Sequence, residues 1–565
     1  MWNWFSRLAP KHRTNRSRSG FRPYLEVLED RCCPSGGKPD WSDPTGGALD
    51  PTFGSGGLVT SSFSSAGEQA NSLVIQPDGK IVAAGYTRTG TGSDFLVARY
   101  NPDGSLDSSF GTGGDTSTDF ARGDDAAEAV ALQPNTGGKI LVAGYAHEKH
   151  TNADFALARY TANGTLDTTF GNNGKVVTDF AGSADGVEGM AVQSDGKIVV
   201  AGNATTASGI YLALARYNAN GSLDTTFGSG GKVLTTIPIP GGGRAAVTIQ
   251  GDGKIVVVRG TTLGGTNSNF VAARFNGDGT PDTGFGSKGQ VVTDVAGASI
   301  DYASGVALQT DGKIVAVGTA VVNNVEQFAT VRYNTDGTLD AGFGQGGEVL
   351  TSVGPYGGSD ATCVAIQSDG EILVGGHAAD ATGTAYNFAL ARYNPDGSLD
   401  ANYGGAGTGT LTLVGINATA LAMAIQSDGK AVLVGNAAES TTGLSEVALA
   451  RYLPSAPQIS SFTANPNPVV SGSDVTLTVS NITDGNPNST ITQVAIYLDS
   501  DNDGTLDPST DTLLGYAIET SPGVWTLTFS TSAMGLTAGT YELFAQAQDN
   551  YGAYGNIVSL ELQLL

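Results

Sequence analysis

Lys80-Ile81-Val82-Ala83-Ala84-Gly85-Tyr86-Thr87, then Phe95-Leu96-Val97-Ala98-Arg99-Tyr100, then Leu106-Asp107-Ser108-Ser109-Phe110-Gly111 form one copy of a pattern that recurs along this chain. Its arginine returns at Arg99, Arg159, Arg216, Arg274, Arg332, Arg392 and Arg451, at spacings of 60, 57, 58, 58, 60 and 59 residues. A period held so closely while the intervening residues change marks one supersecondary unit copied in tandem, which buries its apolar faces only against its neighbours. Working outward, Ala70 to Gln76 alternates and stops at Pro77-Asp78-Gly79, where Asp-Gly signals a two-residue hairpin. Lys80 to Thr87 is then a second strand. Phe95 to Tyr100 is a third, closed by Asp103-Gly104, and a short fourth follows the loop, as in Lys175-Val176-Val177-Thr178. Four short antiparallel strands on tight turns, with no helical period, predict the blade of a β-propeller.

The innermost strand supports a ring. Counted back from its terminal glutamine, positions six, four and two residues earlier are small: Ala70, Ser72 and Val74, or Ala127, Ala129 and Ala131, or Ala361, Cys363 and Ala365. Positions three and one residue earlier are large, as in Leu73 and Ile75 or Val130 and Leu132. Strict alternation puts the two sets on opposite faces. Large faces nesting against small ones around an axis favour a closed ring over a β-solenoid. Closure is legible at the ends, because Leu49-Asp50-Pro51-Thr52-Phe53-Gly54 and an outer strand from Leu58 to Phe63 open the array, while the last copy stops at Arg451-Tyr452 with no outer strand. The strand at 58 to 63 is expected to pair onto the blade at 419 to 452, giving seven blades without a free edge.

These units, with their Asp-Gly-Lys-Ile turn, Ala-Arg-Tyr strand and Leu-Asp-x-x-Phe-Gly loop over residues 49 to 452, resemble the bacterial delta-60 repeat family. The resemblance implies a β-propeller-like architecture in exported or surface proteins, and nothing catalytic. Asn135-Thr136-Gly137-Gly138 departs from the first turn, and Tyr403 replaces the loop phenylalanine.

The 565 residues carry a net charge of −25, which argues against nucleic acid as a partner. Residues 1 to 44 read as a basic export leader: Arg7, Lys11, Arg13, Arg16, Arg18 and Arg22 precede no long apolar run. The stretch Phe21 to Arg31, with Pro34 and Ser35, resembles the leader of many large exported bacterial proteins. Of three cysteines, Cys32 and Cys33 lie in this leader and Cys363 in an apolar strand, so no disulfide framework is available. Nowhere do about 18 apolar residues run together as a membrane span requires.

Each blade arginine precedes a loop aspartate by eight residues, from Arg99 and Asp107 to Arg392 and Asp400. A group repeated in every blade is a structural staple, not a catalyst, and Arg451 should find Asp50 if the ring closes. Glu68, Asp125, Asp185 and Asp301 precede four inner strands and read as solvated loop polarity rather than a cation-lined pore. Arg244 lies close to this set. His147 and His150 read as a surface loop, His377 stands alone, and no nucleophile, phosphate-loop or zinc motif is present. Blade loops vary most between the second and third strands, at Thr87 to Ser93, His147 to Asn152 and Val321 to Gln327.

The propeller reading covers residues 45 to 453, and a second domain, 454 to 565, follows. Six strands, near 457 to 463, 474 to 480, 490 to 499, 523 to 530, 540 to 548 and 556 to 564, indicate a β-sandwich. Tyr541 to Asp549 followed by Gly552 resembles a late strand of Ig-like, PKD-like or cadherin-like modules. From residue 456 onward there are eleven acids and no Lys or Arg. Asp499, Asp501, Asp503 and Asp507 hold a D-x-D-x-D-G-x-x-D spacing that resembles EF-hand-type calcium loops, with Thr510 at position 12 and Asp511 one place late. Calcium is therefore the expected cofactor. The expected whole is a non-enzymatic, exported or cell-surface scaffold that binds a surface glycan or protein. The competing class is a propeller hydrolase or lyase working in the central channel.

Overall fold

The computed structural model describes residues 47–565, apart from 91, 121–122, 148–151, 181, 240–242, 264–267, 298–299, 355–357, 381, 401–402, 405–407, 411–416, 439–442, 455, 485–488, 509 and 551–552. The leader with its cysteines, and His150, lie outside the described residues. Nine four-stranded antiparallel sheets are formed among the described residues. Seven are built by the repeats. The first comprises the strands Glu68–Ile75, Ile81–Thr89, Gly92–Tyr100 and Asp115–Thr118, paired in chain order. The seventh takes its outer strand from the other end of the array: Leu58–Ser61 pairs with Ser445–Tyr452, Leu58 opposite Ala450.

The core lies between sheets. Each neighbouring pair shares one apolar cluster, and the last pair is seventh with first, where Val432, Val434, Val447 and Leu449 meet Ala70, Leu73, Ala83 and Leu96. That contact closes the ring. Each such aliphatic side chain contributes about 1.5–3 kcal/mol by leaving water.

Strict alternation fails in the innermost strands. Ala70 pairs with Gly85 but Ser72 pairs with Ala84, so Asn71 is a bulged residue without a partner. Partners across a ladder share a face, so Ala70 and Ser72 face opposite ways, contrary to the alternation read from sequence. Equivalent bulges fall at Glu128, Glu188, Ser304, Thr362 and Leu421. Beside each bulge the second strand carries a glycine. A Cβ added to Gly85, Gly144, Gly202, Gly318, Gly376 or Gly435 would lie 1.9 Å from a carbonyl oxygen of the inner strand.

Residues 458–564 form the two remaining sheets, which enclose a core including Val475, Leu477, Val494, Ile496, Trp525 and Leu543. Eight strands are present, two more than the sequence reading anticipated. The additional ones, Thr512–Tyr516 and Ile518–Ser521, are edge strands beside the acidic loop. No helix among the described residues is long and apolar enough to cross a membrane.

Candidate functional site

The repeated arginine is a structural tie, as its recurrence implies. Arg99 Nε donates to Asp107 Oδ2 at 2.8 Å, Lys80 Nζ pairs with the same oxygen at 2.9 Å, and the guanidinium lies 4.7 Å over Phe110. Its Nη1 also donates at 2.6 Å to the carbonyl of Ala162, on a turn of the next sheet. Arg159 repeats this toward Ala219, and Arg451 toward Pro102 across the closure. Arg451 Nε finds Asp50 at 2.8 Å. Burial alone would push these carboxyls up. Hydrogen bonds from Ser109 and Lys80 and the charge of Arg99 outweigh it and hold Asp107 well below the usual carboxylate range. One staple departs from the rest: Glu371 stands where the other six sheets have a lysine, and its buried Oε2 has no partner. Burial, followed by weaker charge effects that include nearby aspartates, pushes this carboxyl up to about 7.

Glu68, Asp125, Asp185 and Asp301 are neither solvated nor in the channel wall. All are buried, at no more than 2% exposure. Asp125 accepts the N–H groups of Phe120 at 2.7 Å and His147 at 3.1 Å, Asp185 those of Phe180 at 2.8 Å and Thr205 at 3.1 Å, and Glu68 that of Phe63 at 2.8 Å. They clasp the start of each inner strand to the chain leaving the preceding sheet. Backbone donors buried at such a crossing need an acceptor, and a carboxylate satisfies two at once. Desolvation pushes Asp125 up to about 6 and Asp301 to about 7.

The channel itself is a cavity of about 300 Å³ lined by all seven inner strands. Most of its polar lining comes from the bulges, which turn Asn71, Glu128, Glu188, Ser304 and Thr362 toward the axis alongside Ala245 and Leu421; Ser72 and Arg244 add to it. Bulges re-aim side chains in this way. One repeat position along from Gly85 and its counterparts, the second strands carry Tyr86, Tyr145, Asn203, Gly260, Thr319, His377 and Asn436, of which Tyr145 and Asn203 line a cavity at the channel mouth. Apart from Glu371, Tyr403 and the turn at Asn135 to Gly138, the seven copies agree in staple, turns and core, and they differ most at this position. A second cavity of about 400 Å³ adjoins the channel over the third sheet, which supplies Glu188, Asn203, Thr205 and Ile210, with Glu128 and Tyr145 of the second sheet and Arg244 of the fourth at its sides.

The fourth sheet is the exception in this ring. Where the other six place a glycine on the second strand, it has Arg259; where they place Ala or Val opposite that glycine, it has Arg244. Two arginines do not fit a contact that leaves no room for one Cβ, so the inner strand there is only Ala246–Ile249. Both side chains turn to the bulge glutamates of other sheets: Arg244 pairs with Glu128 and Arg259 with Glu188. Glu188 also accepts the Ala245 N–H at 2.8 Å. Arg259 is 3% exposed, and its Nε has no partner. Arg244 drew notice from sequence; Arg259, Glu128 and Glu188 did not, although each is visible as a break in its column when the seven copies are laid side by side.

Farther round the mouth, Asp360 accepts hydrogen bonds from Thr319 and, at 3.4 Å, from the Tyr302 hydroxyl, and it is the ladder partner of His377. Burial lowers the His377 pKa against the opposing charge of Asp360. A histidine that stands alone in sequence therefore has a carboxylate as its ladder partner, and its ring lies edge-on to Tyr386, with centroids 5.1 Å apart.

In the second domain the acidic loop connects Ile491–Leu498 to its edge partner Thr512–Tyr516. Asp499, Asp501 and Asp503 bring one oxygen each within 4.8 Å of one another, as do Asp94, Asp119 and Asp125, and Asp154, Asp179 and Asp185, at two sheet junctions. Asp499 accepts from the N–H of Asn502 at 2.7 Å and of Gly504 at 3.0 Å. Asp511 is a latch: it accepts from the N–H of Ser500 at 3.0 Å and of Asp507 at 2.8 Å. Asp507 and Asp511 are outside the converging trio. Burial and the charges of Asp499 and Asp501 push the Asp511 carboxyl up.

Six stretches, residues 76–110, 138–170, 193–227, 250–285, 309–343 and 367–403, match the family described as "Domain of unknown function (DUF5122) beta-propeller". The repeats are thus those of a β-propeller repeat family. No curated protein matches the chain. Similar solved structures include virginiamycin B lyase from Staphylococcus aureus, with 11% identity over 70% of this chain and 98% of that one and a TM-score of 0.39. Polysaccharide lyase Uly1 has 10% identity over 70% and 91%, with a TM-score of 0.40. Sqt1 of Chaetomium thermophilum, solved bound to the N-terminus of ribosomal protein L10, has 10% identity over 69% and 98%, with a TM-score of 0.36. At these scores the likenesses say nothing about activity or partner.

Proposed function

We propose that this chain is a non-enzymatic, exported or surface-attached binding protein: a seven-bladed propeller that holds a polar ligand at its channel mouth, followed by an Ig-like sandwich with a calcium loop. The observation that carries the reading is the internal comparison of the blades. Residues common to all of them tie the frame together, whereas polar residues that differ from blade to blade converge on one mouth, where a ligand would meet them. The variable loops between second and third strands would extend that surface; residues 91 and 148–151 of two of them lie outside the described residues. The basic leader supports export. Full-length protein displayed against glycan and cell-wall fragment arrays tests the reading. Tyr86→Ala and Asn203→Ala should each weaken whatever binds by tenfold or more, and unchanged binding by both would remove the mouth as the site.

The second reading, a hydrolase or lyase, is favoured by Asp360 and His377, ladder partners of each other, with the Tyr302 hydroxyl 3.4 Å from Asp360. Turnover of an array hit that disappears in both Asp360→Asn and His377→Ala would establish it over simple binding.

For the sandwich, Asp499, Asp501 and Asp503 suit a hard cation: carboxylates about 4 Å apart repel by roughly 4 kcal/mol at an effective dielectric of 20, and calcium removes that term. Asp507 would complete the set from the same loop, and Asp511 would hold the loop's shape. Calcium titration by calorimetry should give heat with the wild type and none with Asp501→Ala; equal heats would refute the site.

A further inference from the structure

We infer that the cavity over the third blade recognises a neutral saccharide, with Arg244, Glu128 and Glu188 presenting donors and acceptors to its hydroxyl groups and Arg259 holding Glu188 in place through their ion pair. The inference rests on the reading of the mouth as the ligand site and names the ligand's class. Four departures from the repeat meet in one place. Glutamate occupies the bulge position only in the second and third blades, and arginine replaces both members of the small-residue contact only in the fourth. Stability does not account for this. The arginines shorten the inner strand, and a buried ion pair is on average no better than the apolar packing it replaces.

The charges select the ligand. The ion pairs Arg244–Glu128 and Arg259–Glu188 are each neutral, and Asp185, which also lines the cavity, is already engaged by the Phe180 and Thr205 N–H groups, so an anionic ligand would add charge beside Glu128 and Glu188, and a cation would face Arg244. A polyol brings no charge and offers both an acceptor and a donor at every hydroxyl, so it satisfies both kinds of group, and hydrogen bonds to ionised partners are the stronger class. Arg259 is buried and has one donor still without a partner. The adjoining space of about 400 Å³ is within the range of small-ligand pockets, and it sets the Tyr145 ring and the exposed Ile210 beside the amide of Asn203. A pyranose ring, apolar on its faces and polar at its edge, matches that division.

The test titrates full-length protein with neutral β-glucan and galactan oligosaccharides, with oligogalacturonate and with a zwitterionic tetrapeptide. Neutral sugars should bind, and Arg259→Gly and the near-isosteric pair Glu128→Gln/Glu188→Gln should each weaken them at least tenfold. Arg259→Gly restores the repeat, and its melting temperature, together with that of the glutamine pair, reports whether the fold is intact. Binding of only the uronate or the peptide, or no binding of neutral sugars at millimolar concentration, overturns the inference. Neutral-sugar binding that falls with Tyr86→Ala but not with Arg259→Gly or the glutamine pair refutes this site and leaves the mouth reading standing. Binding that none of these variants changes refutes both.

Discussion

The fourth sheet and its six companions share an outer half and differ in the inner one. Arg274 reaches Asp282 at 2.7 Å, Lys254 joins at 3.1 Å, and the guanidinium lies 4.5 Å over Phe285, as in the other staples. At the channel, by contrast, six sheets oppose a glycine to Ala or Val, while the fourth has Arg259 and Arg244 at those repeat positions and starts its inner strand only at Ala246. Because the staples, clasps and inter-sheet clusters hold the ring from outside, the inner strand of one sheet can be rewritten without losing the closure. The difference teaches where stability lives and where it is not required.

Five variants sharpen or break that contrast. The largest effect should come from Asp167→Ala, which leaves Arg159 buried and unpaired at a cost of about 3–5 kcal/mol. Asp282→Ala in the fourth sheet should cost the same, read by urea unfolding; a much smaller loss would show that the outer halves are not equivalent. These carboxyls titrate below their unfolded values. Their stabilisation is therefore complete above about pH 4, the unfolded range for aspartate, and is lost as pH falls through the lower folded values. Next, Gly144→Ala puts a Cβ 1.9 Å from the Ala126 carbonyl oxygen and should cost about 2–3 kcal/mol. Arg259→Gly combined with Glu188→Gln, which removes both charges of the fourth sheet's buried pair together, should be near neutral. If both exchanges destabilise alike, the glycine contact is not what separates the sheets. The smallest effect is a gain: Glu371→Lys should add about 1 kcal/mol at pH 8 by completing the sixth staple. The Glu371 carboxyl rises from 4.5 to about 7 on folding, so the wild type loses stability as pH climbs through that interval. The advantage of the lysine should shrink toward pH 4.5, and a pH-independent gain would refute the assignment.

Most of the frame was legible in the sequence, for a physical reason. Tandem copying makes a strand pattern readable seven times over, and Asp50 and Arg451 reveal the closure because each lacks a partner in its own copy. What escaped was geometry that spacing does not carry. One extra residue in the inner strand reverses the faces of Ala70 and Ser72, and no residue type announces it. Asp125 and Asp301 were misread because a carboxylate that collects backbone N–H groups looks in sequence like any acid in a loop. Thr512–Tyr516 was missed because it is a short edge strand set off by the acidic loop. The charged set at the mouth was hidden differently: a search for motifs passes over Arg259, whose meaning lies only in the glycine it replaces.

Mechanically, the closure is the ring's most exposed joint. Leu49 and Tyr452 are bridge partners, so tension drawn through these two points would peel Leu58–Ser61 from Ser445–Tyr452 one rung at a time instead of shearing all rungs together. Asp50, held at 2.8 Å by Arg451 and at 2.9 Å by Lys430, sits where peeling would begin. It serves as a bolt at the point of least leverage, and a chain anchored at one end and loaded at the other would owe its resistance to force first to that carboxylate.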